Sequence, residues 1–222
     1  MSTLILGSRT RLARSLLQEM TLRAESAFLV AWSENEMGIL KSAHPANPIY
    51  PAWQNSSLPA ASTQLVIFVC ALGPVHPGLP DPRADTLRAT RDLEILKRIL
   101  DENRNGLVHI VFVSSVVALF PRRARAYYAG WKSMVEGVLE SLSASHPHCL
   151  LSVLYPGRLI EQHDNRRPVS FLYTTFRDLA QEMMKIKGTQ KPLHRIVGID
   201  ARLWLATQAM LAWRPFVFGR PI

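Results

Sequence analysis

Two cysteines in 222 residues leave too few thiols for a disulfide framework. Cys70 and Cys149 each fall in an apolar run that reads as a buried strand. A free thiol there acts as a small hydrophobe, so a reducing cytoplasm is the expected home. No apolar stretch is long enough to span a bilayer. The first residues carry no basic segment followed by an apolar one, so no signal peptide is expected. Internal repeats and low-complexity tracts are also missing. Acids are scarce: 17 Asp and Glu stand against 26 Lys and Arg, a net charge of +9. The bases are scattered and do not interleave with aromatics, which argues against a nucleic-acid surface. They fit anionic ligands, such as a phosphorylated cofactor, and a solvated basic exterior. His163 has no second ligand at zinc-like spacing, so no metal site is expected.

With 48% hydrophobic residues, the chain can bury a substantial core, and its length predicts one domain over 1–222. Apolar β-branched runs at 3–6, 27–32, 65–71, 107–113, 149–154 and 196–199 read as strands, with a short one near 49–53. Amphipathic stretches alternate with them. One carries the stripe Leu12, Leu16, Leu17 and Met20; another runs from Asp85 to Asn103 with Leu87, Leu93, Leu96, Ile99 and Leu100 facing inward. Residues 171–187 read as a helix with Phe171, Leu172, Phe176, Leu179 and Met183 inward. Ser33 and Glu36 have capping-box spacing, which predicts a helix to about Lys41. Asp200 caps a last helix to about Ala212, and 216–218 read as a terminal strand. Four prolines in 43–63 leave no room for a helix after the third strand, and prolines again make 74–82 a rigid loop. The alternation predicts an α/β fold: Rossmann-like, doubly wound, with a mainly parallel sheet.

Chemistry concentrates at 107–137. The run 107–113 ends in Ser114-Ser115, a basic loop follows, and Tyr127, Tyr128 and Lys132 open a helix. Tyr128 and Lys132 are four apart, on one face of that helix. A lysine cation near a phenol favours the phenolate, so Tyr128 becomes a candidate general acid/base. Ser115, at the end of the neighbouring strand, is placed to hold a carbonyl or alcohol oxygen. Tyr127 is a weaker candidate, because its lysine position is taken by Trp131. At the N-terminus a strand runs into Gly7-Ser8-Arg9-Thr10-Arg11-Leu12-Ala13 and a helix, a cradle for pyrophosphate.

These features resemble the short-chain dehydrogenases/reductases. Tyr128-Ala129-Gly130-Trp131-Lys132 matches that family's Tyr-x-x-x-Lys motif, Ser115 stands at its usual separation, and Tyr155-Pro156-Gly157 matches its Pro-Gly turn. The resemblance implies hydride transfer between a nicotinamide and a carbonyl or alcohol. It makes Tyr128 the acid/base, Lys132 the residue that lowers its pKa and holds the ribose, and Ser115 the substrate-oxygen ligand. It assigns cofactor contacts to Gly7, Arg9, Thr10, Arg11, Leu12, Ala71, Lys132, Pro156 and Gly157, and a substrate lid to 158–170. With Arg158, His163, Arg166 and Arg167, that lid suits an anionic small-molecule substrate. No acid follows the second strand except the ambiguous Ser33-Glu34, while Arg9 and Arg11 occupy the turn, so NADP(H) is expected ahead of NAD(H). A homodimer paired through the helices flanking the active site is a further implication.

The chain also departs from the family. Only Gly7 survives of three glycines, with Thr10 or Arg11 at the second place and Ala13 at the third. The fourth strand ends in Cys70-Ala71-Leu72-Gly73 without the family's polar residues. The helix at 85–103 offers Asp85, Thr86 and Asp92 but no asparagine for a proton relay before its end. These losses support an alternative, a dehydrogenase-like scaffold acting as a regulatory or interaction module.

Overall fold

The computed structural model describes residues 1–52, 54, 64–72, 81–121, 123–163, 168–189 and 191–218, with side chains to Leu211. Seven parallel strands form the central sheet: β1 (Ser2–Leu6), β2 (Phe28–Ala31), β3 (Ile49–Pro51), β4 (Gln64–Val69), β5 (Leu107–Val113), β6 (Cys149–Pro156) and β9 (Leu193–Val197). Their order is β3-β2-β1-β4-β5-β6-β9, so the chain reverses direction between β1 and β4. A two-stranded parallel ribbon, β7 (Leu159–Ile160) with β8 (Thr174–Thr175), lies beside it. The helices are α1 (Arg11–Leu22), α2 (Glu34–Ala43), α3 (Pro82–Glu102), α4 (Val116–Leu119), α5 (Ala126–Ser145), α6 (Phe176–Ile186) and α7 (Ile199–Phe218).

The strands read as apolar runs because both faces are covered. Val108, Ile110 and Phe112 of β5 enter one core with Ile95, Leu96 and Ile99 of α3 and Val135 and Leu139 of α5. The alternate residues Val111 and Val113 enter the other, with Leu16 and Met20 of α1 and Leu179 and Met183 of α6. Each such side chain, fully removed from water, contributes about 1.5–3 kcal/mol. Local chemistry sets the helix starts. Thr10 Oγ1 accepts from Ala13 N and begins α1, and Ser33 does the same for Glu36 N at α2. Asp81 caps α3, with Pro82 at the first helical position.

Several boundaries differ from those expected. The Thr175–Asp178 capping box starts α6 five residues later than 171. Residues 168–172 are a 3₁₀ turn and Phe171 is exposed, not inward. Leu87 is 72% exposed, because α3 turns that stripe position away from the sheet in its first two turns. Residues 216–218 continue α7 instead of forming a strand: the Ala- and Leu-rich run before them propagates helix. Cys70 lies just past β4 and Cys149 in β6; both are free, and burial pushes their thiols up to about 12 and about 11. Among the described residues, no helix is long and apolar enough to cross a membrane. Trp53, Gly73, most of the 74–82 loop and Arg166 and Arg167 lie outside the described residues.

Candidate active site

Ser115, Tyr128 and Lys132 come together at the carboxyl end of β5. Ser115 occupies the N-cap position of α4, but its hydroxyl makes no capping bond and is left for other partners. It is a hydrogen-bond partner of the Tyr128 phenol. Lys132 is 6% exposed; its Nζ donates to the Val113 carbonyl at 3.3 Å. That ammonium lies 5.3 Å from the centre of the Phe112 ring and 5.8 Å from that of Tyr128. Ser114 Oγ, one residue before Ser115, is buried without a partner.

The electrostatics differ from the expected tuning. Burial raises the Tyr128 pKa above that of an ordinary phenol, and the Ser115 hydroxyl and the Arg125 charge only partly pull it down. Lys132 is not the group that depresses it here. Burial instead lowers Lys132 itself to about 8, since a buried ammonium loses its hydration. Arg125, in the 3₁₀ turn Arg123–Arg125, is a cation at this site that spacing alone did not reveal. Tyr127 points elsewhere: its hydroxyl donates to the buried Asp85 of α3 at 3.0 Å. Of the other acids considered on α3, Asp92 is buried and raised to about 7, with one oxygen unpartnered.

The turn after β1 closes tightly. Gly7 has φ +77°, and a Cβ there would stand 2.8 Å from the backbone N and Cβ of Ala71, so only glycine fits. Ser8 is buried and donates to the carbonyls of Ile5 and Val30, tying the turn to β2. Sequence reasoning passed over it, although a small hydroxyl after a turn glycine is the available signal. Thr10 turns its hydroxyl into its own helix as the cap, and Leu12 is buried against the core. Arg9 is exposed. Arg11 does not fold back over the turn; its Nε pairs with Glu161, beyond β7, at 3.0 Å. A 280 Å³ pocket beyond β2 and β3 is lined by Trp32, Ala52, Ile95, Glu94, Arg91 and Arg98, with the Arg91 guanidinium 4.0 Å from the centre of the Trp32 ring.

Pro156 ends β6, and Gly157 follows it beneath α7. A Cβ at Gly157 would strike Asp200, whose Oδ2 accepts from Arg158 N at 2.6 Å. In the described part of the lid, His163 Nδ1 is 2.8 Å from the Ser170 carbonyl, and the Arg158 guanidinium lies 5.0 Å from the Tyr173 ring centre.

A parallel sheet with this order and a glycine turn after β1 define a Rossmann-like, doubly wound α/β architecture. The chain has the short-chain dehydrogenase/reductase fold. A short-chain dehydrogenase/reductase from Vibrio parahaemolyticus superimposes with TM-score 0.64 at 16% identity, over 87% of this chain and 98% of that one. The yeast methylglyoxal/isovaleraldehyde reductase complexed with NADPH gives 0.65 at 14% identity, over 89% and 78%. A short-chain dehydrogenase from Burkholderia cenocepacia in complex with NADP gives 0.63 at 15%, over 99% and 98%. No protein-family model matches the sequence, and no curated protein matches it. Likeness at these identities is a statement about fold.

Proposed function

We propose that the protein is an NADP(H)-dependent oxidoreductase acting on a carbonyl or alcohol, with Tyr128 as general acid/base. The observation that carries this is the meeting of Ser115, from the junction of β5 and α4, with Tyr128 and a buried Lys132, both from α5, at the carboxyl end of β5. A buried lysine is costly to keep, and replacing it with an apolar residue would suit the core better.

The residues around the glycine turn fit a dinucleotide. Gly7 keeps side chains out of the turn against Ala71, α1 presents its N-terminus with no acid in its first turn, and the exposed Arg9 is a candidate phosphate ligand, as Arg11 would be once released from Glu161. Arg91, stacked on Trp32 just past β2, adds a cation on the side where a 2′-phosphate is read, which favours NADP(H). The cofactor, when bound, supplies or accepts hydride. Ser115, whose hydroxyl is not used to cap α4 and stands beside the Tyr128 phenol, holds the substrate oxygen. Tyr128, with its pKa raised, carries its proton at neutral pH and donates it to that oxygen as the carbonyl is reduced. Lys132 holds the site's positive charge beside the phenol, and Arg125 extends it toward an anionic substrate. The described part of the 158–170 lid carries Arg158 and His163 over the same end of the sheet.

The test is titration with NADPH and NADH, read by thermal shift, followed by NADPH oxidation with a panel of carbonyl substrates. Tighter binding of NADPH and turnover that Tyr128→Phe lowers about 10²-fold or more are expected. The rival reading, a scaffold without turnover, draws on the Arg11–Glu161 pair occupying one candidate phosphate ligand. Failure of both dinucleotides to bind would establish that reading instead.

A further inference from the structure

We infer a divalent transition-metal site, of the zinc type, farther along α5 toward its C-terminal end, built by Glu136, Glu140 and His194. Glu136 and Glu140 are one turn apart and share a face of α5; His194 reaches them from β9, the last strand of the sheet. One ligand atom from each residue lies within 4.8 Å of the other two. Two carboxylate oxygens and an imidazole nitrogen are a donor set for zinc and its neighbours, whereas calcium and magnesium favour oxygen alone.

Three further observations point the same way. Carboxylates four apart on a helix repel, and in a protein of net charge +9, among the described residues neither glutamate has a Lys or Arg within ion-pair distance. The phenol of Tyr155, 4% exposed, donates to Glu136 and also lies 3.2 Å from His194 Nδ1. It therefore holds the helix ligand and the strand ligand in place from behind, as outer-sphere groups do at metal sites. Finally, Glu140 and His194 are exposed, which leaves an entry path and coordination positions for water. The spacing 136, 140, 194 defeats any search for short metal motifs, so only the pairing of β6 with β9 brings the set together.

The site stands in the row Tyr128, Lys132, Glu136, Glu140 along α5. A bound ion ties edge strand β9 to the helix that carries the candidate acid/base, and Tyr155 links it to the Pro156-Gly157 turn.

The experiment uses tag-free full-length protein freed of metal by chelation. Zn²⁺ is titrated by calorimetry, and Co²⁺ is used as a visible-absorption probe. Binding of one Zn²⁺ per chain is expected, with Tm rising by about 5–10 °C at a hundredfold excess over Kd and Co²⁺ showing the bands of an imidazole-containing, low-coordinate site. His194→Ala and Glu140→Gln, both at exposed positions, should keep the metal-free Tm and each weaken Zn²⁺ at least tenfold. His148→Ala, in the His146–His148 pair elsewhere on the surface, should leave binding unchanged. No Zn²⁺ binding, binding that survives His194→Ala, or equal affinity for Ca²⁺ would each overturn the site.

Discussion

Replacing Lys132 by Met should make the protein more stable at neutral pH while removing the proposed reductase activity. Burial lowers the lysine from 10.5 to about 8, so at pH 7 the folded state carries a charged amine it disfavours by about 3 kcal/mol. Met fills the same channel without the charge. The Val113 carbonyl then loses its donor, which returns about 1–2 kcal/mol of that gain. A net stabilisation of about 1–2 kcal/mol is expected at pH 7. The sign with pH follows from proton counting. Between about 8 and 10.5 the unfolded chain holds the lysine proton and the folded chain does not, so lysine-specific stability rises with pH there. Below 8 the full cost is present, and above 10.5 it is gone. The buried thiols of Cys70 and Cys149 and the phenol of Tyr155, all raised by burial, act oppositely at high pH in both proteins. The difference between wild type and Lys132→Met is therefore the quantity to read, by urea unfolding from pH 6.5 to 10. It should shrink through this window and reverse sign once the amine's cost is gone. A variant less stable than wild type at pH 7, with a gap that does not change toward pH 10, would refute the buried-amine account.

Tyr128→Phe should cut carbonyl reduction about 10²-fold or more with the fold intact, whereas Tyr127→Phe, which loses only the bond to Asp85, should be mild in the same assay. Glu161→Gln frees Arg11 and should tighten NADPH by up to about fivefold, the scale of an exposed ion pair; Arg11→Gln should weaken it and flatten its salt dependence, both read by fluorescence titration. Gly7→Ala places a methyl 2.8 Å from Ala71 at φ +77°, so a loss of about 1–3 kcal/mol in urea unfolding is expected, together with loss of dinucleotide binding.

The sequence determined the core strands of the central sheet and the candidate Ser/Tyr/Lys set, because both are written in local pattern. A strand covered on two faces must be a continuous apolar run, and 107–113 is β5 residue for residue. Tyr128 and Lys132 share a face because helical geometry leaves no other choice, and the turn after β1 keeps a glycine at Gly7 because it needs positive φ there. What the sequence by itself could not fix depends on neighbours distant in the chain. Leu87 looks like core until α3 is seen to turn it from the sheet, and Phe171 until the Thr175–Asp178 box starts α6 after it. Arg11 reads as a phosphate ligand until Glu161 is found beside it, 150 residues later. The direction of a pKa shift is the sharpest case. Spacing puts a lysine one turn from Tyr128, but desolvation is set by everything packed around the phenol; here it raises the phenol, and the opposing charge is that of Arg125, not of Lys132. Burial and long-range pairing belong to the folded chain as a whole, and only the tertiary structure decides them.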